Sequence, residues 1–216
     1  MNSKSKYYAV RGMTGSVPEE NLLWRAIEDE LIQILKAYSF QEIRLPIIEY
    51  SGVFNRSIGE ASDIVQKEMY SFTDRNGESL TLRPEGTAGC VRSAIENNLL
   101  NSNAPQRLWY HGPMFRYERP QRGRQRQFHQ IGLEIFGSSS ILAETELMVI
   151  FSRFWSSLGI SDITLQINSL GDQEDRQTYI KVLADFFSDH ASKLSEHNLQ
   201  KLKLNPLRIM DSKDPE

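Results

Sequence analysis

The chain has 216 residues, 39% of them hydrophobic and 25% charged, with a formal net charge of −3. That length can bury a sizeable core in one large or two small domains, and the composition is that of an ordinary globular protein. The slight acidity excludes a chain that holds nucleic acid with its whole surface and leaves that role to local basic clusters.

One cysteine, Cys90, excludes an intramolecular disulfide framework. No apolar run reaches the ~20 residues of a membrane span. MNSKSKYYAV has no secretory core, so the expected setting is reduced, cytoplasmic and away from membranes.

Leu23, Ile27, Leu31, Ile34 and Tyr38 recur at steps of four, four, three and four, which predicts a helix over 18–38 with one apolar face. Ser16-Val17-Pro18-Glu19 reads as its capping box, with proline in the first turn. Ile43, Leu45, Ile47 and Ile48 predict a strand over 42–49, interrupted by Pro46. Proline cannot donate to a ladder, so this strand belongs at an edge or an interface.

Two further runs, 69–73 and 79–83, flank Asp74-Arg75-Asn76-Gly77, a strong hairpin signal. A helix is expected over 86–100, with Thr87 as a candidate cap and Cys90 as a buried structural thiol. Long strands are expected over 107–118 and 127–136, joined by the basic loop 119–126, with Trp109 and Met114 in the core.

Leu147, Ile150, Phe151, Phe154 and Leu158 predict a buried helix over 143–158, stopped by Gly159. Ile163, Leu165 and Ile167 alternate as a half-buried strand over 162–168. Helices are expected over 172–187 and 190–204, the second halted near Asn205-Pro206. DSKDPE carries no closing element, so a continuation past residue 216 is expected. Two hairpins with helices between them indicate an antiparallel sheet flanked by helices, an α+β fold.

Arg116, Arg119, Arg122, Arg124 and Arg126 place five guanidinium groups within eleven residues. A solvated hairpin tip is one reading. Arg116, however, lies in the expected strand beside Phe115 and Met114. A guanidinium held there is tolerated mainly when it meets an anion or a carboxylate. Alternation puts Phe128, Gln130 and Glu134 on one side of the next strand, opposite Arg116. That face suits a nucleotide phosphate, a purine ring and a small amine; mutual neutralisation of Arg116 and Glu134 is the alternative.

Glu85, after Pro84 and before Gly86-Thr87, adds a carboxylate near a helix start, where the helix dipole favours an anion. His111, His129, His190 and His197 share no metal-ligand spacing, and alternation turns His129 away from the Phe128 face. No metal site is expected from the protein's own side chains.

FRYE at 115–118, the variable basic loop, Phe128-His129-Gln130 and Glu134 resemble the second signature motif of class II aminoacyl-tRNA synthetases, and YSFQEIRLPI at 38–47 resembles the first, with Ser39 where that motif usually has glycine. RGMTG, RSIGEASDIVQKEMYSF, TLRPEGTAG, RLWYHGPMFRYERPQRGRQRQFHQ and NPLRIMDSK narrow the resemblance to the histidyl-tRNA synthetase family over about 10–213.

The resemblance implies activation of L-histidine by ATP and transfer to tRNA(His) in a homodimer, with Pro46 at the dimer interface. Arg116 would be catalytic, gripping the ATP α-phosphate. Glu118, Arg124 and Phe128 would complete ATP binding, with Phe128 stacked on adenine and Arg124 at the outer phosphates. Glu85, Gly86, Thr87, Arg116 and Gln130 would surround the histidine, and Glu134 would accept from the imidazole N–H. Mg²⁺ would enter on the ATP phosphates.

The resemblance also implies that residues 1–216 are a partial catalytic domain. The third motif, a histidine-specific segment and the anticodon-binding domain would lie beyond residue 216. Alternatives are a synthetase-like histidine-sensing regulatory subunit of ATP phosphoribosyltransferase, a tRNA-sensing module fused to a kinase, and an RNA-binding module built on 119–126.

Overall fold

A computed structural model describes residues 8–59, 62, 64–102, 104–168, 171–210 and 212. The chain divides into two compact units, Met1–Ser161 and Asp162–Glu216.

The first unit opens with helix α1, Pro18–Ala37. Its capping differs from the sequence expectation. Proline takes the first helical position, where its missing N–H is no loss, and this makes Val17 the cap residue. Valine has no acceptor, so Glu20 reaches back to the Val17 amide at 3.3 Å, and the Ser16 hydroxyl donates to Asn21 instead.

The strand expected over 42–49 is two short strands, β1 Gln41–Glu42 and β2 Ile48–Tyr50, which join different sheets. Helix α2 (Ser51–Ile58) comes next, and then the hairpin of β3 (Tyr70–Thr73) and β4 (Ser79–Leu82). The positive backbone angle that its turn requires falls on Gly77, at φ 89°.

Helix α3 spans Thr87–Glu96, shorter than expected, and a 3-10 turn covers Leu99–Asn101. Strands β5 (Gln106–Phe115) and β6 (Gln127–Phe136) precede helix α4, Ile141–Ser157. Gly159 follows α4 with φ 73°, consistent with the expected stop.

One sheet has the order β1-β5-β6 and the other β2-β4-β3. All pairings are antiparallel except β1 with β5, which is parallel. Strands β5 and β6 pair along their whole length, from Gln106↔Phe136 to Phe115↔Gln127. Odd-numbered residues form one face: Trp109 is buried with Leu31, Leu35 and Phe40 and with Ile150 and Phe154 of α4, while Ile131, Leu133 and Ile135 pack against them. Even-numbered residues form the other face: Leu108, Tyr110 and Met114 pack with Cys90 and Ala94 of α3. Trp109, Met114 and Cys90, expected in the core from sequence, are buried, whereas Phe151, expected on the buried face of α4, is exposed.

The second unit holds helices α5 (Gln173–Asp189), α6 (Glu196–Leu204) and α7 (Leu207–Met210). Asp172 caps α5 through the amides of Glu174 and Asp175 at 2.8 and 2.9 Å. Residues 190–195 are not part of α6 as expected: Ala191–Lys193 is a 3-10 turn, and the Ser195 hydroxyl caps the helix.

The expected strand over 162–168 does not form, and Ile163, Leu165 and Ile167 are exposed. An alternating segment becomes a strand only against a partner, and among the described residues none pairs with it. The closing DSKDPE, apart from Ser212, lies outside the described residues.

Leu35 is fully buried whereas Leu22, on the same helix, is 75% exposed. Leu35→Ala should therefore destabilise the chain by about 2–5 kcal/mol in urea unfolding, and Leu22→Ala by less than about 0.5 kcal/mol. Equal costs would mean that α1 does not use the face assigned to it.

Candidate functional site

The even-numbered face of β5 and β6 continues into the end of β4 and the start of α3, and the candidate side chains meet there. Sequence reasoning put Arg116 inside a strand; it lies one residue past β5, with its amide donating to the Arg126 carbonyl at 2.9 Å. The ladder ends because the chain turns into the basic loop, yet this last bond keeps Arg116 in register. Its Nε donates to the Pro84 carbonyl at 2.9 Å, and its guanidinium carbon lies 5.2 Å from the centre of the Phe128 ring. Among the described residues its ion-pair carboxylate is Glu118, at 4.0 Å, so neutralisation by Glu134 is not what holds it.

The five arginines separate by environment. Arg116 and Arg126 are half-buried, whereas Arg119, Arg122 and Arg124 are exposed. Arg126 lies over the Tyr117 ring at 4.0 Å and donates to the Glu118 carbonyl. Glu118 also sits 3.6 Å from Arg124, so it lies between two guanidinium groups. The loop is anchored from outside as well, because the Gly12 carbonyl accepts from the Arg126 and Gln127 amides at 2.7 and 2.9 Å. Gly12 has φ 81°, and a Cβ there would meet Pro120 and Arg126 at 3.0 and 3.1 Å. The sequence signal for that anchor was present in RGMTG, but nothing local says what it touches.

Glu85 caps α3, which corrects the expectation for Thr87. The Thr87 hydroxyl does not cap, and the Glu85 carboxylate takes the Thr87 and Ala88 amides at 2.5 and 2.9 Å. A carboxylate in that position also meets the positive end of the helix dipole. The Thr87 hydroxyl lies 3.5 Å from that of Tyr110 instead, and the Tyr110 hydroxyl donates to Glu134 at 3.1 Å.

Tyr110 was missed by sequence reasoning, which saw it as one more residue of a strand. Its ring lies between Gly86 and Gly132, where an added Cβ would come within 2.0 and 2.2 Å of it. Glycine on both sides leaves the room that the ring occupies at the floor of the site. Gly132 faces Tyr110 directly in the β5–β6 ladder, and Gly112 faces Gln130.

Burial first, and then the nearby Glu85, raise the Glu134 carboxyl above its usual range, while hydrogen bonds from Thr87 and Tyr110 work the other way. Burial likewise raises the Tyr110 phenol and pushes the Cys90 thiol up to about 12, so the cysteine is an un-ionised structural residue at neutral pH. His129 is exposed and lies against Trp24, with ring centres 5.1 Å apart, away from the Phe128 face as alternation required. Among the described residues no group of three His, Cys, Asp or Glu side chains is arranged to hold a metal. Among the same residues no helix is long and apolar enough to cross a membrane.

The second residue missed is Arg83, which is 5% exposed. It donates from Nε to the Pro113 carbonyl at 2.9 Å and from Nη1 to the Leu45 and Pro46 carbonyls at 2.8 and 3.4 Å. Burial lowers its pKa, with the charges of Tyr110 and Glu49 opposing the shift. Pro46 itself is exposed, and its carbonyl is one of this arginine's acceptors.

The site thus has one end built of guanidinium groups around Glu118 and Phe128, and another built of Glu85, Thr87, Tyr110 and Glu134. The first end suits an anion with an aromatic ring. The second suits a small molecule with an ammonium group and a ring N–H.

The family model described as Histidyl-tRNA synthetase matches residues 12–171. The apo histidyl-tRNA synthetase of S. aureus is 35% identical, with a TM-score of 0.75 over 94% of this chain and 48% of its own. A Bacillus halodurans protein described as an ATP phosphoribosyltransferase regulatory subunit/histidyl-tRNA synthetase matches 94% of the chain and 56% of its own, at 20% identity and TM-score 0.67. A histidine–tRNA ligase subunit from Alicyclobacillus acidocaldarius matches 71% and 43%, at 21% identity and TM-score 0.56. The latter two support the fold alone. The chain spans about half the length of the S. aureus structure.

Gly132→Ala should cost about 1–3 kcal/mol, because its methyl group has no room beside the Tyr110 ring. Added to Tyr110→Ala, the same change should cost much less; additive costs in this double-mutant cycle would contradict the contact.

Glu134 gives a prediction with a definite sign. A carboxyl with a raised folded-state pKa contributes stability that is present below its unfolded pKa and lost as pH rises through the folded value. The stability of Glu134→Gln relative to the parent should therefore increase as pH rises through and just above the carboxylate range. A difference that stays flat in urea midpoints across that range would rule this out.

Proposed function

The chain belongs to the histidyl-tRNA synthetase family, and from that premise we propose that it activates L-histidine with ATP and transfers it to tRNA(His), supplying the N-terminal part of the site. The observation that carries this reading is the arrangement of Arg116. Its Nε is tied to Pro84 while the rest of its guanidinium lies over Phe128, on the same face as Glu85 and Glu134.

Activation joins a carboxylate oxygen of histidine to the α-phosphorus of ATP, and the bond to the departing pyrophosphate breaks. Negative charge builds on the phosphoryl oxygens, and a guanidinium already fixed at Nε stabilises it without having to be organised during the step. Arg124, exposed at the rim, meets the outer phosphates, and Phe128 offers the adenine a stacking face. Mg²⁺ would be held mainly by the ATP phosphates and would supply charge neutralisation there; Glu118 is a carboxylate beside the same arginines.

Glu85, Gln130 and the Thr87 hydroxyl hold the α-ammonium group, against the backbone of Gly86. Glu134, steadied by Tyr110, accepts from the imidazole N–H. In the second step a ribose hydroxyl at the tRNA end attacks the activated carbonyl and AMP leaves. This chemistry needs no protein nucleophile, in keeping with the inert Cys90.

A histidine sensor would need only the second end of the site. The retained phosphate-facing end favours the enzyme. Pro46 and the exposed Ile47 and Ile48 beside it form the surface on which a second copy would pack. The proposed setting is the cytoplasm.

The test is histidine-dependent ATP–pyrophosphate exchange in the full-length protein. Arg116→Ala should lower kcat by at least about 10²-fold, the scale of removing one preorganised charge-stabilising group. Retained exchange would refute the role given to Arg116. The 216-residue chain alone should show weak ligand binding and little exchange.

A further inference from the structure

Arg83 makes contacts that the proposed reaction does not use directly. Its guanidinium is buried, and among the described residues it has no ion-pair partner; its bonds go to the Pro113, Leu45 and Pro46 carbonyls. Its backbone is engaged on both sides. The Arg83 amide donates to the Ile47 carbonyl, and the Arg83 carbonyl accepts from the Phe115 amide, both at 2.9 Å.

One residue thus joins the end of β4 to the 45–47 segment and to the end of β5. Room for it is made at Gly112, where a Cβ would fall 2.4 Å from Nη2.

A buried cation hydrogen-bonded only to carbonyls, with Glu49 acting on it without an ion-pair contact, is a costly way to fill a core position, and an apolar side chain of similar size commonly gives equal or better stability. The fork geometry must therefore do something a hydrophobe cannot. The next two residues of the chain reveal its role. Residue 84 is a buried proline with a fixed φ, and its carbonyl receives Arg116 Nε. Residue 85 is the carboxylate that caps α3. Consecutive carbonyls, of Arg83 and Pro84, receive donors from consecutive residues, Phe115 and Arg116. Any shift of residue 83 is passed to Arg116 and Glu85 with no flexible link between.

We infer that Arg83 is a positioning residue for this reaction: its fork sets the turn that places Arg116 at the phosphate end of the site and Glu85 at the ammonium end. The inference rests on the function proposed above.

The test compares Arg83→Lys and Arg83→Gln in the full-length protein, assayed by histidine-dependent ATP–pyrophosphate exchange at a temperature where circular dichroism shows each variant folded. Leu35→Ala, in the core on the opposite face of the sheet, serves as a control of lowered stability.

Both Arg83 variants should lose about 10–100-fold in kcat, the effect expected of an ångström-scale misplacement, with KM for ATP changed less than about threefold and KM for histidine raised by the displacement of Glu85. Lysine should do no better than glutamine, because it restores the charge without the fork. Leu35→Ala should keep its kcat while folded. Parent-level kcat in either variant, full rescue by lysine, or a loss matched by Leu35→Ala would overturn the inference. Variants that fold at no temperature would do the same, by making Arg83 a folding residue. Absence of exchange in the unmodified protein would instead sink the proposed reaction itself.

Discussion

The ten-residue ladder between β5 and β6 is the constraint on which the rest of the first unit depends. Because side chains alternate across a strand, the register from Gln106↔Phe136 to Phe115↔Gln127 decides which residues meet α1 and α4 and which meet α3. A slip by one residue would send Trp109 toward the site and Tyr110 into the helix layer. The same register brings Gly132 against the Tyr110 ring and Gly112 opposite Gln130, so the small residues fall where the second face needs space. Packing on one side and chemistry on the other are two readings of a single pairing.

The charges on the chemical face are arranged in opposition along its length. Guanidinium groups collect around Glu118 where the ladder ends and the chain turns, and two further carboxylates, Glu85 and Glu134, stand at the start of α3 and toward the far end of β6. Among the described residues neither Glu85 nor Glu134 pairs with those arginines. Arg116 commits one donor to a backbone carbonyl, and Glu85 commits its lone pairs to backbone amides. Tying a charged group to backbone dipoles fixes its direction while leaving much of its charge for a ligand, which is the essence of preorganisation.

Much of this was legible in the sequence because period-two alternation is a local property. It separated Phe128, Gln130 and Glu134 from His129. It failed where structure depends on a distant partner. Residues 162–168 alternate as a strand should, yet pair with no strand among the described residues. Residues 42–49 look continuous, yet divide around Pro46 between two sheets. Proline at the first turn of α1 moved the cap from Ser16 to Val17, a one-residue effect below the resolution of pattern reading. Arg83 and Tyr110 were invisible for a different reason: an arginine before a proline and a tyrosine in an apolar strand acquire meaning only from the carbonyls and glycines that tertiary folding brings to them.

The Tyr110 ring between Gly86 and Gly132 has a consequence for how this protein can vary over generations. The ring belongs to β5, and the glycines that flank it belong to β6 and to the cap of α3, so each glycine is held by the ring. Enlarging a glycine collides with the ring, and shrinking the ring opens a void beneath two glycines. A lineage that reshapes this floor must therefore pass through the loss of the ring first, and only then can either glycine drift. The order of events is built into the geometry, so a larger residue at either glycine position should be found only where the ring has already been lost.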